Sequence, residues 1–122
     1  MDRRGLARLA DIKEYIGHIR SLLDGKSFDD MYADVAMRAA FERFLEIVSE
    51  AARHLPEEWK RQRPEVPWRN IADLGNQIRH AYRRLNARTL WAIYIEDLEA
   101  LETSVDAMIA AHGPLPRDTT ES

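Results

Sequence analysis

The chain of 122 residues contains no cysteine. That removes a disulfide scaffold, a thiolate zinc site and a cysteine nucleophile together. Long apolar runs are missing as well: nothing approaches the roughly 18 consecutive apolar residues of a membrane span. The N-terminal stretch MDRRGLARLADIKEYIGHIR is charged every few positions and lacks the apolar block of a secretory signal, so a cytoplasmic location is expected. Glycine and proline are scarce, five of each, and no window shows the sustained alternation of a strand or a long internal repeat. With 45% hydrophobic and 32% charged residues, the composition is that of one ordinary globular domain, neither collagenous nor of low complexity.

What is present is helical periodicity. Leu6, Leu9, Ile12, Ile16, Ile19 and Leu23 step by three or four and form the stripe of a first amphipathic helix. Gly25 is placed to stop it, and Ser27 with Asp30 has the pattern of a capping box opening a short second helix or turn. A third helix carries Phe41, Phe44, Leu45, Val48, Ala52 and Leu55, and Pro56 prevents its clean continuation. Residues 56 to 67 hold three prolines and read as a connection with a helical turn around Trp59, and Pro67 suits the first turn of a fourth helix bearing Ile71, Leu74, Ile78 and Leu85. Asn86 is a candidate cap for a fifth helix, with Leu90, Ile93, Tyr94, Leu98, Leu101, Val105 and Met108 as its stripe and Gly113-Pro114 at its end. The expected fold is all-α, an antiparallel bundle of four to five helices in one domain over residues 1–112, followed by a flexible tail over 113–122.

Charge is unevenly spread. Between Trp68 and Arg88 there are five arginines (69, 79, 83, 84 and 88) against one acid, Asp73, a net of +4 in a chain whose total is −3. Such a segment suits phosphate or an acidic partner, although a solvated helix face has the same appearance. On a helical wheel His80 points roughly 140° from the middle of the fourth helix's apolar stripe. Asn76 and Arg84 are its neighbours one turn before and after, and Arg83 is at i+3. A histidine among cations can move a proton near neutral pH beside a phosphate, yet spacing alone does not distinguish it from a polar helix residue. His18, His54 and His112 show no ligand spacing with His80, so no metal is expected. Trp59, Trp68 and Trp91 suit core or interface packing better than base stacking. The acids Glu96, Asp97, Glu99 and Glu102 read as a solvated face, and Tyr15 and His18 as packing residues.

The run Val66-Pro-Trp-Arg-Asn-Ile-Ala-Asp-Leu-Gly-Asn-Gln-Ile-Arg-His-Ala-Tyr82 resembles the signature of the HepT-like family of the HEPN superfamily. Arg43-Phe-Leu-Glu-Ile-Val-Ser-Glu-Ala-Ala-Arg53 is similar to that family's third-helix block, and Leu90-Trp91 with Asp97-Leu98 to its closing helix. Order and spacing agree over about residues 5 to 110. The resemblance implies a HEPN-like helical bundle that forms a homodimer, with two signature helices facing across a cleft. It implies a metal-independent ribonuclease that needs no cofactor and acts as the toxin of a toxin–antitoxin pair. The implied partner is a minimal nucleotidyltransferase that inactivates the toxin by adding AMP to the motif tyrosine.

Carried over by position, His80 is the motif histidine, Tyr82 the AMP acceptor and Asn76 the accompanying polar neighbour. RNA cleavage without metal needs a base for the ribose 2′-OH, an acid for the leaving oxygen and a cation for the transition-state charge. The motif's arginine is expected with four to six residues between it and the histidine, and those places here hold Gly75, Leu74 and Asp73. The catalytic set implied is therefore His80, Arg83 and Asn76, with Arg83 the best-placed replacement cation by face, and Arg69, Arg79 and Arg84 as phosphate ligands. The alternative function is a weakened or inactive HEPN module that binds the nucleotidyltransferase, nucleotide or RNA without cleaving.

Overall fold

The computed structural model describes residues 2–79 and 83–113. Every regular element among them is helical. α1 spans Arg3–Leu23, α2 Phe28–Ala33, α3 Val35–Arg53, α4 Glu57–Arg61, α5 Trp68–Ala72, α6 Leu74–Arg79, α7 Arg83–Ala92 and α8 Leu98–His112, with one π-helical turn at Ile93–Asp97 between the last two.

Local chemistry sets the boundaries. Asp2 opens α1 by accepting a hydrogen bond from the Gly5 N–H at 2.8 Å. The expected capping box is formed: the Asp30 N–H donates to Ser27 Oγ and the Ser27 N–H to Asp30 Oδ2, both at 3.0 Å. Asp34 closes α2 and opens α3, accepting from the Met37 N–H at 3.0 Å. Gly25 adopts φ +72°, a left-handed conformation that turns the chain after α1 and that a residue with a side chain rarely takes. Pro56 has no N–H to continue α3, and the chain restarts as the single turn of α4 around Trp59.

The core lies around α1 and α3. Leu9, Ile12, Ile16, Ile19 and Leu23 are buried against Phe41, Leu45, Val48 and Ala52, and α8 packs on the other side of α1 with Leu98, Leu101, Val105 and Met108. α3 also carries α2, α5 and α6, so it is the element on which the charged segment is mounted. The tryptophans pack as expected: Trp59 stacks on His112 at 4.1 Å, Trp91 meets Phe28 and Phe41 edge-on, and the Trp68 Nε1–H donates to the Arg63 carbonyl at 2.9 Å.

Four expectations need correction. Leu85 was assigned to the apolar stripe of the fourth helix but is 67% exposed, because the residues of α7 that face the core are Asn86, Ala87 and Leu90. Asn86 was read as a cap but lies buried within α7, its Nδ2 without a hydrogen-bond partner among the described residues. The stretch read as a fourth helix is interrupted after Ala72, and the stretch read as a fifth helix carries a π turn at Ile93–Asp97. Of the acidic run, Glu102 is partly buried and paired with Arg20, and burial followed by neighbouring Glu96 holds the Asp97 carboxyl above the usual aspartate range. The expected tail from Pro114 onward lies outside the described residues. Among those described, no helix is long and apolar enough to cross a membrane.

Candidate functional site

A groove of about 860 Å³ lies between α3 and the α5–α6 segment. α3 lines it with Arg43, Glu46, Glu50 and Arg53, whose spacing of three, four and three places them on the face opposite Phe41, Leu45 and Val48. The other wall comes from Arg69, Asp73, Gly75, Asn76 and Arg79. At the floor, buried Ser49 donates its hydroxyl to the Ala72 carbonyl at 3.2 Å. That carbonyl sits where the helical ladder breaks, since the Asn76 and Gln77 N–H groups bond to the Asp73 carbonyl at 3.1 and 3.2 Å. Ser49 thus ties α3 to the bend that sets the direction of α6.

The charges of the groove sort by whether they are already partnered. Glu50 accepts a hydrogen bond from His54 at 2.8 Å and lies 3.8 Å from Arg53. The His54 contact, above all, holds the Glu50 carboxyl below its ordinary range. Asp73 accepts from Asn76 Nδ2 and Gln77 Nε2, both at 3.2 Å. Arg43, Arg69 and Arg79 have no carboxylate within 4.0 Å among the described residues. Glu46, which also lines the groove, has no cation within that distance among them either; the three guanidinium groups on two facing walls have the chemistry to bind phosphate, because each planar fork matches two phosphate oxygens.

The structure distributes the sequence candidates unevenly. Arg69, Asn76 and Arg79 share the groove. Arg84 does not line it: its guanidinium pairs with Asp29 at 3.3 Å and lies over the rings of Phe28 and Tyr32 at 5.2 and 4.9 Å. With Arg88 over Phe28 at 4.2 Å, it clamps α2 onto α7. His80, Tyr82 and the side chain of Arg83 lie outside the described residues; His80 follows Arg79, the last residue of α6, directly in the chain. Arg43, Glu46 and Arg53 were not among the candidates. Their signal was the polar stripe of α3, which a solvated face would also show. Among the described residues no three histidine or carboxylate side chains gather in a way that could hold a metal ion.

The described residues form an all-helical bundle with an arginine-lined groove, and comparison with known proteins narrows the class. Residues 12–108 match the family described as Ribonuclease HepT-like, and the chain belongs to that family. It is 36% identical over 94 residues to a protein named "Probable ribonuclease HepT" from Thermococcus cleftensis, covering 77% of this chain and 86% of that one. It is 34% identical over 85 residues to a "Putative RNase" from Caldanaerobacter subterraneus subsp. tengcongensis, covering 70% and 76% of the two chains. A "Putative RNase" from Methanocaldococcus jannaschii is 34% identical over 89 residues, covering 73% and 74%. No solved structure matches the chain.

Proposed function

We propose that this protein is a cytoplasmic endoribonuclease of the HepT type that cuts RNA without a metal ion. The observation that carries this reading is the set of arginines without a carboxylate partner among the described residues, Arg43, Arg69 and Arg79, in a groove between α3 and the segment that precedes His80 in the chain. In the proposed reaction an RNA strand lies along the groove with its phosphates on these guanidinium groups. A His80 imidazole takes the proton of a ribose 2′-OH, and the oxygen attacks the adjacent phosphorus. The P–O5′ bond breaks, the departing oxygen receives a proton, and a 2′,3′-cyclic phosphate and a 5′-OH end remain. Two copies of the chain, facing across a cleft, would supply one histidine as base and the other as acid.

The reading extends to biology. The chain would serve as the toxin of a toxin–antitoxin pair, with a minimal nucleotidyltransferase silencing it by adding AMP to Tyr82. Intact mass after co-expression with such an enzyme is expected to rise in AMP-sized steps that disappear in Tyr82→Phe.

The decisive assay uses the full-length protein with RNA and excess chelator. Cleavage leaving cyclic phosphate ends is expected, and His80→Ala should abolish it. Equal cleavage by His80→Ala would sink the proposal. The second reading, a module that binds RNA or the nucleotidyltransferase without cutting, draws on Gly75, which stands where the resemblance places an arginine. Growth arrest on expression in cells, lost in His80→Ala, would count against it.

A further inference from the structure

Gly75 lies inside α6, one helical turn before Arg79. A β-carbon built on it would stand 3.2 Å from Arg79 Nη1, 3.7 Å from Nη2 and 3.8 Å from Cζ. All three nearest atoms belong to one guanidinium, so that group occupies the space a side chain at position 75 would claim. Both residues line the groove, and among the described residues no carboxylate holds Arg79 there. Gly17, in α1, differs: nothing lies within 4 Å of its would-be β-carbon. A glycine inside a helix weakens it relative to alanine, and at position 75 the bare α-carbon supplies in exchange a flat seat for the cation.

We propose that Gly75 and Arg79 work as one unit: Gly75 is a positioning residue whose missing side chain seats the Arg79 guanidinium on the groove wall, where it takes a phosphate of the RNA backbone. This rests on the reading of the groove as an RNA site. Arginine is a flexible side chain, and much of what it gains on binding a phosphate is lost in ordering it. Seating the guanidinium before the ligand arrives removes part of that cost. A methyl group at position 75 would crowd Nη1 and shift the guanidinium by a few tenths of an ångström, leaving the charge in the protein but off its seat.

The test measures binding of a fluorescent, fully 2′-O-methylated RNA oligomer, which lacks the hydroxyl needed for cleavage, by anisotropy over a range of salt concentrations. Wild type should bind with an affinity that falls as salt rises. Arg79→Ala should weaken binding about tenfold, the lower end for a charge-assisted hydrogen bond, and reduce the salt slope by about 1. Gly75→Ala, which keeps every charge, should weaken binding by a smaller factor and leave the salt slope unchanged, while its melting temperature stays level or rises. In a chain already carrying Arg79→Ala, the further Gly75→Ala change should cost nothing, because the group it displaces is gone.

Wild-type affinity in Gly75→Ala, or an equal loss with and without Arg79→Ala, overturns the proposal while leaving the RNA reading intact. Absence of salt-dependent binding by the wild type overturns the RNA reading and this inference with it.

Discussion

Two glycines in one helix are expected to respond to alanine with opposite signs. Gly5 and Gly17 both lie in α1, and in each the change should bring helix propensity of up to about 1 kcal/mol. At Gly17 nothing lies within 4 Å of the new methyl group, so Gly17→Ala should stabilise by about 0.5–1 kcal/mol. At Gly5 the methyl would stand 2.7 Å from Trp59 Cη2 and from Cζ3, where carbon atoms rest at about 3.5–4.0 Å. The ring would have to retreat by about 1 Å, but Trp59 is buried and stacked against His112 at 4.1 Å, with 11° between the planes. Overpacking of this kind costs about 1–3 kcal/mol, which exceeds the propensity gain and leaves a net loss of about 1–2 kcal/mol. With an unfolding entropy of about 2.1 cal/mol/K per residue, each kcal/mol shifts a chain of this length by about 4 °C. Circular dichroism melts should therefore place Gly5→Ala about 4–8 °C below wild type and Gly17→Ala about 2–4 °C above it. The penalty should shrink when Gly5→Ala is combined with Trp59→Phe, whose smaller ring leaves room. A Gly5→Ala protein that melts at or above wild type would refute the reasoning, since it would mean that Trp59 and His112 give way freely.

Further outcomes follow from other contacts. Ser49→Ala removes the hydroxyl bonded to the Ala72 carbonyl; because that carbonyl borders an open groove and can bind water, the expected loss is about 1 kcal/mol rather than the full burial penalty, and an unchanged denaturant midpoint would contradict it. The Asp97 carboxyl, raised chiefly by burial and then by Glu96, disfavours the folded state once it is ionised. Its contribution to stability is present below the ordinary aspartate range and lost as pH rises through the folded value. Asp97→Asn should accordingly be more stable than wild type near pH 7, with the difference closing as pH falls toward 3; a difference that does not change with pH would contradict this.

How much of this was legible beforehand depended on the kind of signal. The stripes of α1 and α3, the Ser27–Asp30 capping box and the stop at Gly25 are local, carried by side chains within a few residues of one another, and they were readable as they stand. The passage from Ile78 to Leu85 was not. Seven residues apart on one straight helix they would share a face, yet the core takes Asn86 and Ala87 from α7 and leaves Leu85 in water. Asn86 illustrates the same limit, since an asparagine before an apolar stripe has the pattern of a cap and here is a buried helix residue. Arg43, Glu46 and Arg53 resembled any solvated helix face, and only the docking of α5 and α6 on α3 makes them a groove wall. His80 and Tyr82 stand on the sequence and the family, because they lie outside the described residues.

Periodicity, capping and cysteine content by themselves determined an all-helical domain with a basic signature segment, because each acts over one or two turns of chain and needs no distant partner. The meaning of individual charges was decided by tertiary structure alone. Arg84 and Arg79, both expected as phosphate ligands, end on an aromatic clamp and in the groove respectively. Gly75, which reads in sequence as the loss of an arginine, proves to be the place where another arginine rests. A guanidinium sits some six bonds from its backbone, and only the surrounding surface determines where it settles.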